Sequence, residues 1–302
     1  MMLLEQIRSD IIRQDENLLG LDDVVEKEIL QHDVLALMYE QGYLQHLVFI
    51  GGTALRLCYG SNRLSEDLDF AASSQFSPDD LDGFAESLQH AIEEKYHVSV
   101  NVRQAQNKLS DTSVWKITVI KNASRPDIPA KKMHIDITSV CSIDNIPKPI
   151  TDHHGISSQI SGRLINVLSL KEALVDKIIA FAYRSRRIKP RDIWDIAWLK
   201  QKGVDISFSL LKKKLSLREK SVSGFCTALK RQVHSLESEE AFLDFTSEMS
   251  RFLPKNVKER TLGNDKFWPY VKRTVIDEVD QVTDALSDPL KATKKKNHQM
   301  SM

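Results

Sequence analysis

Two hydrophobic periods divide this chain. Segments that alternate apolar and polar residues lie before residue 168; beyond it, apolar positions recur at helical spacing to about residue 290. HVSVNVRQ (97–104), SVWKITVIKN (113–122) and KMHIDITSV (132–140) read as strands, and LVFI (47–50) and LDFAA (68–72) as short buried ones. DDVVEKEILQHDVLALMYEQG (22–42) reads as a helix, with Val25, Ile29, Leu30, Val34, Leu37 and Met38 at helical spacing and Gly42 as its stop. SPDDLDGFAESLQHAIEEKY (77–96) reads as a second helix, with Ser77 as cap. After the divide come LKEALVDKIIAFAYRSRR, opened by a capping-box spacing of Ser169 and Glu172, then RDIWDIAWLKQKG and a helix from Leu210. The expectation is an α+β protein: a head over residues 1–167 with a small mixed β-sheet flanked by helices, then a helical C-terminal domain over 168–290. The basic tail, 291–302, has a disordered composition.

Charged residues make up 28% of the chain and hydrophobic ones 41%, which excludes a disordered chain or a membrane bundle. No apolar run approaches the roughly 18 residues of a spanning helix, and the N-terminus does not read as a secretory signal. Three scattered cysteines (Cys58, Cys141 and Cys226) argue against a disulfide framework and fit a reducing cytoplasm. The formal net charge is zero, so a polyanion must be held by local patches: RSRRIKPR (184–191), with five basic residues in eight, and KKKLSLREK (212–220), with five in nine.

Chemistry concentrates in FIGGTALRLCYGSNRLSEDLDF (49–70). Glycines at 51 and 52 let backbone approach phosphate oxygens, and the helix that follows Thr53 presents free N–H donors and a positive dipole. Asp67 and Asp69 share one face of a strand, where two carboxylates repel each other unless a cation lies between them. Mg²⁺ is bound through one or two carboxylates together with substrate phosphates. A lone Asp-x-Asp is usually a solvated strand end; its place beside a glycine turn points to a phosphate-and-metal site instead. In KMHIDITSV, His134, Asp136 and Thr138 oppose an apolar face, and Asp136 is the expected third carboxylate. His134 is read as a bystander, and Asp111, Asp127 and Asp144 as loop residues.

This stretch, with the preceding helix, HIDIT, and LKEALVDKIIAFAYRSRRIKPRDIWDIAWL, resembles the AbiEii/AbiGii toxin family of the polymerase-β-like nucleotidyltransferases. The resemblance covers roughly residues 22 to 200 well. It implies that Gly51, Gly52 and Thr53 hold nucleotide phosphates, with Arg63 and Ser65 beside them. It implies that Asp67, Asp69 and Asp136 hold two Mg²⁺ ions, that Lys177 faces the nucleotide and that Asp192 is the essential acid of the KPRD segment. A lysine on a solvated helix face and a surface ion pair remain the bland readings of the last two. The implied enzyme is a cytoplasmic toxin of a toxin–antitoxin or phage-defence pair. It would transfer NMP from an NTP to a tRNA 3′ end, with an AbiEi-like antitoxin as partner and no membrane. The helical domain would complete the nucleotide site and bind the acceptor. Arg184, Arg186, Arg187, Lys189 and Arg191, with the 212–220 run, would hold the RNA. The alternatives are an aminoglycoside-like small molecule or a protein hydroxyl as acceptor, or a silent nucleotide-binding module.

Overall fold

The structure is a computed structural model that describes residues 2–73, 76–105, 112–120, 130–156, 158–184 and 187–287. The chain divides into two compact units: residues 1–169 with 251–258, and residues 170–250 with 259–302.

The first unit begins with α1 (Leu3–Gln14) and α2 (Asp22–Glu40), which ends at Gly42 in a left-handed conformation. Then come β1 (Leu47–Ile50), α3 (Gly51–Tyr59), β2 (Leu68–Ala72), α4 (Phe84–Tyr96), β3 (Ser99–Ala105), β4 (Thr112–Ile120), β5 (Lys131–Thr138), β6 (Asn145–Pro149) and β7 (Leu164–Leu168). The strands form one mixed seven-stranded sheet in the order β3-β4-β5-β2-β1-β7-β6. Two pairings are parallel, β2 with β5 and β1 with β7; the remaining pairs are antiparallel. The β2–β5 register sets Asp69 opposite Asp136, and the β1–β2 register sets Ile50 opposite Asp69. The pleat explains why these acids stay near the surface. Met133, Ile135 and Ile137 are buried on one face of β5, while His134, Asp136 and Thr138 are half-buried on the other. Phe49 stacks on Phe70 at 5.2 Å across β1 and β2, fixing the central strands to the core.

Several expectations need correction. Residues 77–96 are not one helix: a 3₁₀ turn (Pro78–Leu81) is followed by α4, and Gly83 at φ +76° breaks the run between them. Thr53 lies inside α3 rather than before it, since the helix starts at Gly51 with Ile50 at the cap position, and its hydroxyl donates to the Asp67 carbonyl at 2.5 Å. At the start of α5, where the capping-box spacing falls, Ser169 also donates to Asp144 Oδ2 at 2.6 Å and Glu172 is buried beside Lys214.

The second unit contains α5 (Leu170–Tyr183), α6 (Pro190–Gln201), α7 (Phe208–Leu217), α8 (Val222–Ser235), α9 (Glu239–Ser250) and α11 (Phe267–Ser287); α10 (Lys255–Arg260) spans the boundary between the units. Its core includes the apolar face of α6, with Ile193, Trp194, Ile196 and Trp198 all buried, and Phe245, against which the half-buried Phe267 and Trp268 pack. Residues 251–258, expected within the helical domain, belong to the first unit. There Leu64 N–H donates to the Phe252 carbonyl at 2.9 Å, and Phe252 is 1% exposed. No described helix is long and apolar enough to cross a membrane.

Candidate active site

The head site is built where β1 runs into α3 beside β2. Gly51 is the first residue of α3 and holds φ +76°; a Cβ there would lie 2.1 Å from Asp69 Oδ2. Only glycine permits both the backbone angle and the close approach of that carboxylate. Asp69 therefore sits at the positive end of α3, where the helix dipole and the first-turn N–H groups favour negative charge. At Gly52 an added Cβ would lie 2.3 Å from Arg63 Nη2. Arg63 is 2% exposed and donates through Nη1 to the Leu64 carbonyl at 3.2 Å. The paired glycines thus make room for two charged side chains of the same chain, a carboxylate at one and a guanidinium at the other.

Asp67 lies just before β2, with its side chain 35% exposed. Its Oδ1 accepts the His134 backbone N–H at 3.0 Å and lies 3.3 Å from His134 Nδ1. His134, read from sequence as a bystander, is thus a direct neighbour of the site; its place on the same face of β5 as Asp136 was the available signal. The two carboxylates reach towards opposite neighbours, Asp67 to β5 and Asp69 to the start of α3. Among the described residues, no trio of His, Cys, Asp or Glu side chains is arranged to hold a metal ion. Asp136, the expected third carboxylate, stands beside Asp69 in the β2–β5 register. The donor set does fit a hard divalent cation: two carboxylates on one accessible strand end beside a helix N-terminus, with substrate phosphates supplying further oxygens.

The site has a buried support. Arg56 on α3 reaches Glu28 on α2 through Nε and Nη2, each at 3.3 Å, and His154 Nε2 lies 3.2 Å from Glu28 Oε1. Burial opposes the Glu28 charge, but Arg56 and His154 outweigh it and hold this carboxyl well below the usual range. His153 Nε2 lies 2.8 Å from the Arg56 carbonyl, closing the cluster. Thr53 and Ser65, expected at the phosphates, are 0% and 6% exposed; Ser65 accepts Gln31 Nε2 through its carbonyl at 3.1 Å.

The second unit holds its own charged cluster. Lys177 Nζ lies 3.2 Å from Asp192 Oδ1 and 2.7 Å from Asp195 Oδ2, and Arg184 binds Asp192 Oδ2 through Nε at 2.9 Å and Nη2 at 2.6 Å. Asp192 is 3% exposed. Burial opposes its charge, but Lys177 and Arg184 hold its carboxyl below the ordinary value. The surface ion pair weighed as a bland reading is therefore a buried network.

The basic runs are partly neutralised within the fold. Arg187 pairs with Asp244 at 3.2 Å and Arg191 with Glu248 at 3.1 Å; Lys189 is exposed, and Arg186 lies outside the described residues. In the 212–220 run, Lys214 is 2% exposed between Glu172 and Asp176, and Arg218 pairs with Asp176 at 3.0 Å. Those two cations serve the interior rather than an RNA surface. The residues 291–302, like Asp111 and Asp127, also lie outside the described set.

A family model described as "Nucleotidyl transferase AbiEii toxin, Type IV TA system" matches residues 33–281. No curated protein matches the chain. MenT4, a nucleotidyltransferase toxin from Mycobacterium tuberculosis H37Rv, superposes with a TM-score of 0.57 at 16% identity, over 93% of this chain and 98% of that one. JHP933 from Helicobacter pylori superposes with a TM-score of 0.45 at 14% identity, over 92% and 98% of the two chains. The resemblance read from residues 49–70 and the KPRD segment is borne out by the family match.

Proposed function

The chain belongs to the AbiEii family of nucleotidyl transferase toxins, and from that premise we propose that it moves a nucleoside monophosphate from an NTP onto the 3′ end of an RNA acceptor, tRNA first among them, so halting translation. Membership of a type IV toxin–antitoxin family brings an antitoxin partner and an NTP substrate with it; an AbiEi-like protein and a role in phage defence belong to the same proposal. The observation that carries the reading is the Asp69 carboxylate seated against Gly51 at the head of α3, with Asp67 two residues away.

In the transfer, an acceptor hydroxyl oxygen attacks the α-phosphorus. The α–β phosphoanhydride bond breaks, pyrophosphate leaves and the hydroxyl proton passes to a base. The first turn of α3 orients phosphate oxygens through its backbone N–H groups. Arg63, buried under Gly52, keeps that turn in place and acts as a positioning residue. Asp136 stands in register beside Asp69, where it can take up the acceptor proton. Asp67 and Asp69 would hold Mg²⁺, which when bound would supply a lowered acceptor hydroxyl pKa and neutralising charge for the phosphates.

The internal pairing of Arg184, Arg187 and Arg191 favours a second reading, in which the acceptor is a small molecule or a protein hydroxyl. Incubating the protein with each labelled NTP, Mg²⁺ and total tRNA separates the two. Label in tRNA supports the first; pyrophosphate release without labelled tRNA sinks it and leaves the second.

A further inference from the structure

The helical unit contains a cavity of about 390 Å³ that shares Arg184 with the Asp192 cluster and is otherwise lined by residues outside it. Its size falls within the roughly 300–1,000 Å³ that ligand pockets occupy. One wall is apolar, formed by Ile188, Pro190 and Ile193, while Arg184, Arg187 and Arg231 supply guanidinium groups from the α5–α6 connection and from α8. Gln232 is 6% exposed and donates to the Arg184 carbonyl at 2.7 Å, so α8 fixes the connection that carries two of the arginines. Asp192 engages Nε and Nη2 of Arg184, which orients that guanidinium and leaves Nη1 for a ligand oxygen. Among the described residues no carboxylate pairs with Arg231, which is exposed. Glu240 and Asp244 also line the cavity, and Arg187 is held by Asp244 and Glu248, so Arg231 and the Nη1 of Arg184 are the groups left for an anionic ligand.

We propose that this cavity receives one nucleotide of a single-stranded RNA, with the base against the apolar wall and the neighbouring phosphates on Arg231 and Arg184. An unstacked base needs a flat apolar contact, and planar guanidinium groups bind phosphate oxygens in pairs. The proposal rests on the RNA-acceptor reading and deepens it, by giving the acceptor strand a subsite within the helical unit.

The test is a fluorescence-anisotropy titration of the full-length protein with a labelled single-stranded RNA of ~12 nucleotides, without NTP and at several salt concentrations. Arg231→Glu and Ser235→Asp are compared with Lys230→Glu, a charge reversal on α8 outside the cavity lining. The expected result is about tenfold weaker RNA binding for the first two and less than about twofold for Lys230→Glu, with a salt slope shallower by about 0.7 for each phosphate no longer neutralised. Wild-type binding by both cavity variants, or equal losses in all three, overturns the proposal. So does a loss confined to free nucleoside monophosphate, or to a polyglutamate peptide run as an acidic-protein probe. If wild type transfers nothing to RNA yet the cavity variants still bind RNA weakly, the acceptor reading fails while the cavity stands; transfer with unaltered binding gives the converse.

Discussion

A Cβ at position 51 would fall 2.1 Å from Asp69 Oδ2, and Gly51 holds φ +76°, so the glycine and the carboxylate occupy one site between them. Gly51→Ala therefore meets two penalties. Left-handed backbone costs an L-residue about 1–2 kcal/mol, and the clash must displace Asp69. The expected outcome is a loss of roughly that stability in urea unfolding, together with a fall in pyrophosphate release of at least about 100-fold. A variant that unfolds early but retains its turnover would show that Asp69 has no need of that position.

Gly52 and Arg63 form a second interlocked pair, with 2.3 Å between an added Cβ and Arg63 Nη2. Gly52→Ala and Arg63→Ala are each expected to destabilise the fold. Their combination should cost less than the sum, because removing the guanidinium removes the clash. A double-mutant cycle by urea unfolding should give a coupling of about 0.5–3 kcal/mol. Additive losses would mean that the turn yields elsewhere.

Asp192 is a buried carboxylate held by Lys177 and Arg184. Asp192→Ala leaves two cations facing each other and is expected to destabilise the protein by about 3–5 kcal/mol, the usual result of breaking a buried pair. The sign of its pH dependence follows from its lowered pKa. Its stabilisation is full above the unfolded carboxyl value of about 4 and is lost as pH falls through the lower folded value. Unfolding curves between about pH 5 and 2 should steepen in the wild type relative to Asp192→Asn.

His32 is 0% exposed on α2, and neither ring nitrogen has a hydrogen-bond partner among the described residues. Burial pushes its pKa down, against the pull of the Glu28, Asp152 and Asp33 carboxylates. The folded state thus holds it neutral, while the unfolded chain protonates near pH 6.5. Its contribution is complete above about pH 6.5 and declines below, by up to about 1.4 kcal/mol per pH unit. His153, also depressed by burial and by Arg56, adds to the same window. His32→Leu should flatten the loss of stability between about pH 6.5 and 5; an unchanged slope would exclude His32 as its source.

Much of the head was legible because its strands carry period-two or continuous apolar patterns with glycine punctuation. β6 was not, since its sequence NIPKP holds two prolines and lies exposed at the sheet edge, where missing donors are tolerated. β7 ends at Leu168 and α5 begins at Leu170, so no turn separates the strand from the helix that follows it. The Gly51–Gly52 pair was readable as a place of close approach, but what approaches within the chain, Asp69 and Arg63, is fixed by pairing and burial that no local pattern encodes. The same holds for the basic runs. Nothing near Lys214 in sequence announces that Glu172 and Asp176 will enclose it, so a buried ion network reads as a polyanion patch.

The most direct test of nucleotidyl transfer at the head of α3 is pyrophosphate release and label transfer from NTP, measured with Mg²⁺ and total RNA for wild type, Asp67→Asn and Asp69→Asn. These near-isosteric changes keep shape and remove charge. The account predicts label in RNA with wild type, and at least about 1,000-fold less with either variant at an unchanged unfolding midpoint. Either variant turning over at the wild-type rate would contradict it and move the chemistry away from Asp67 and Asp69.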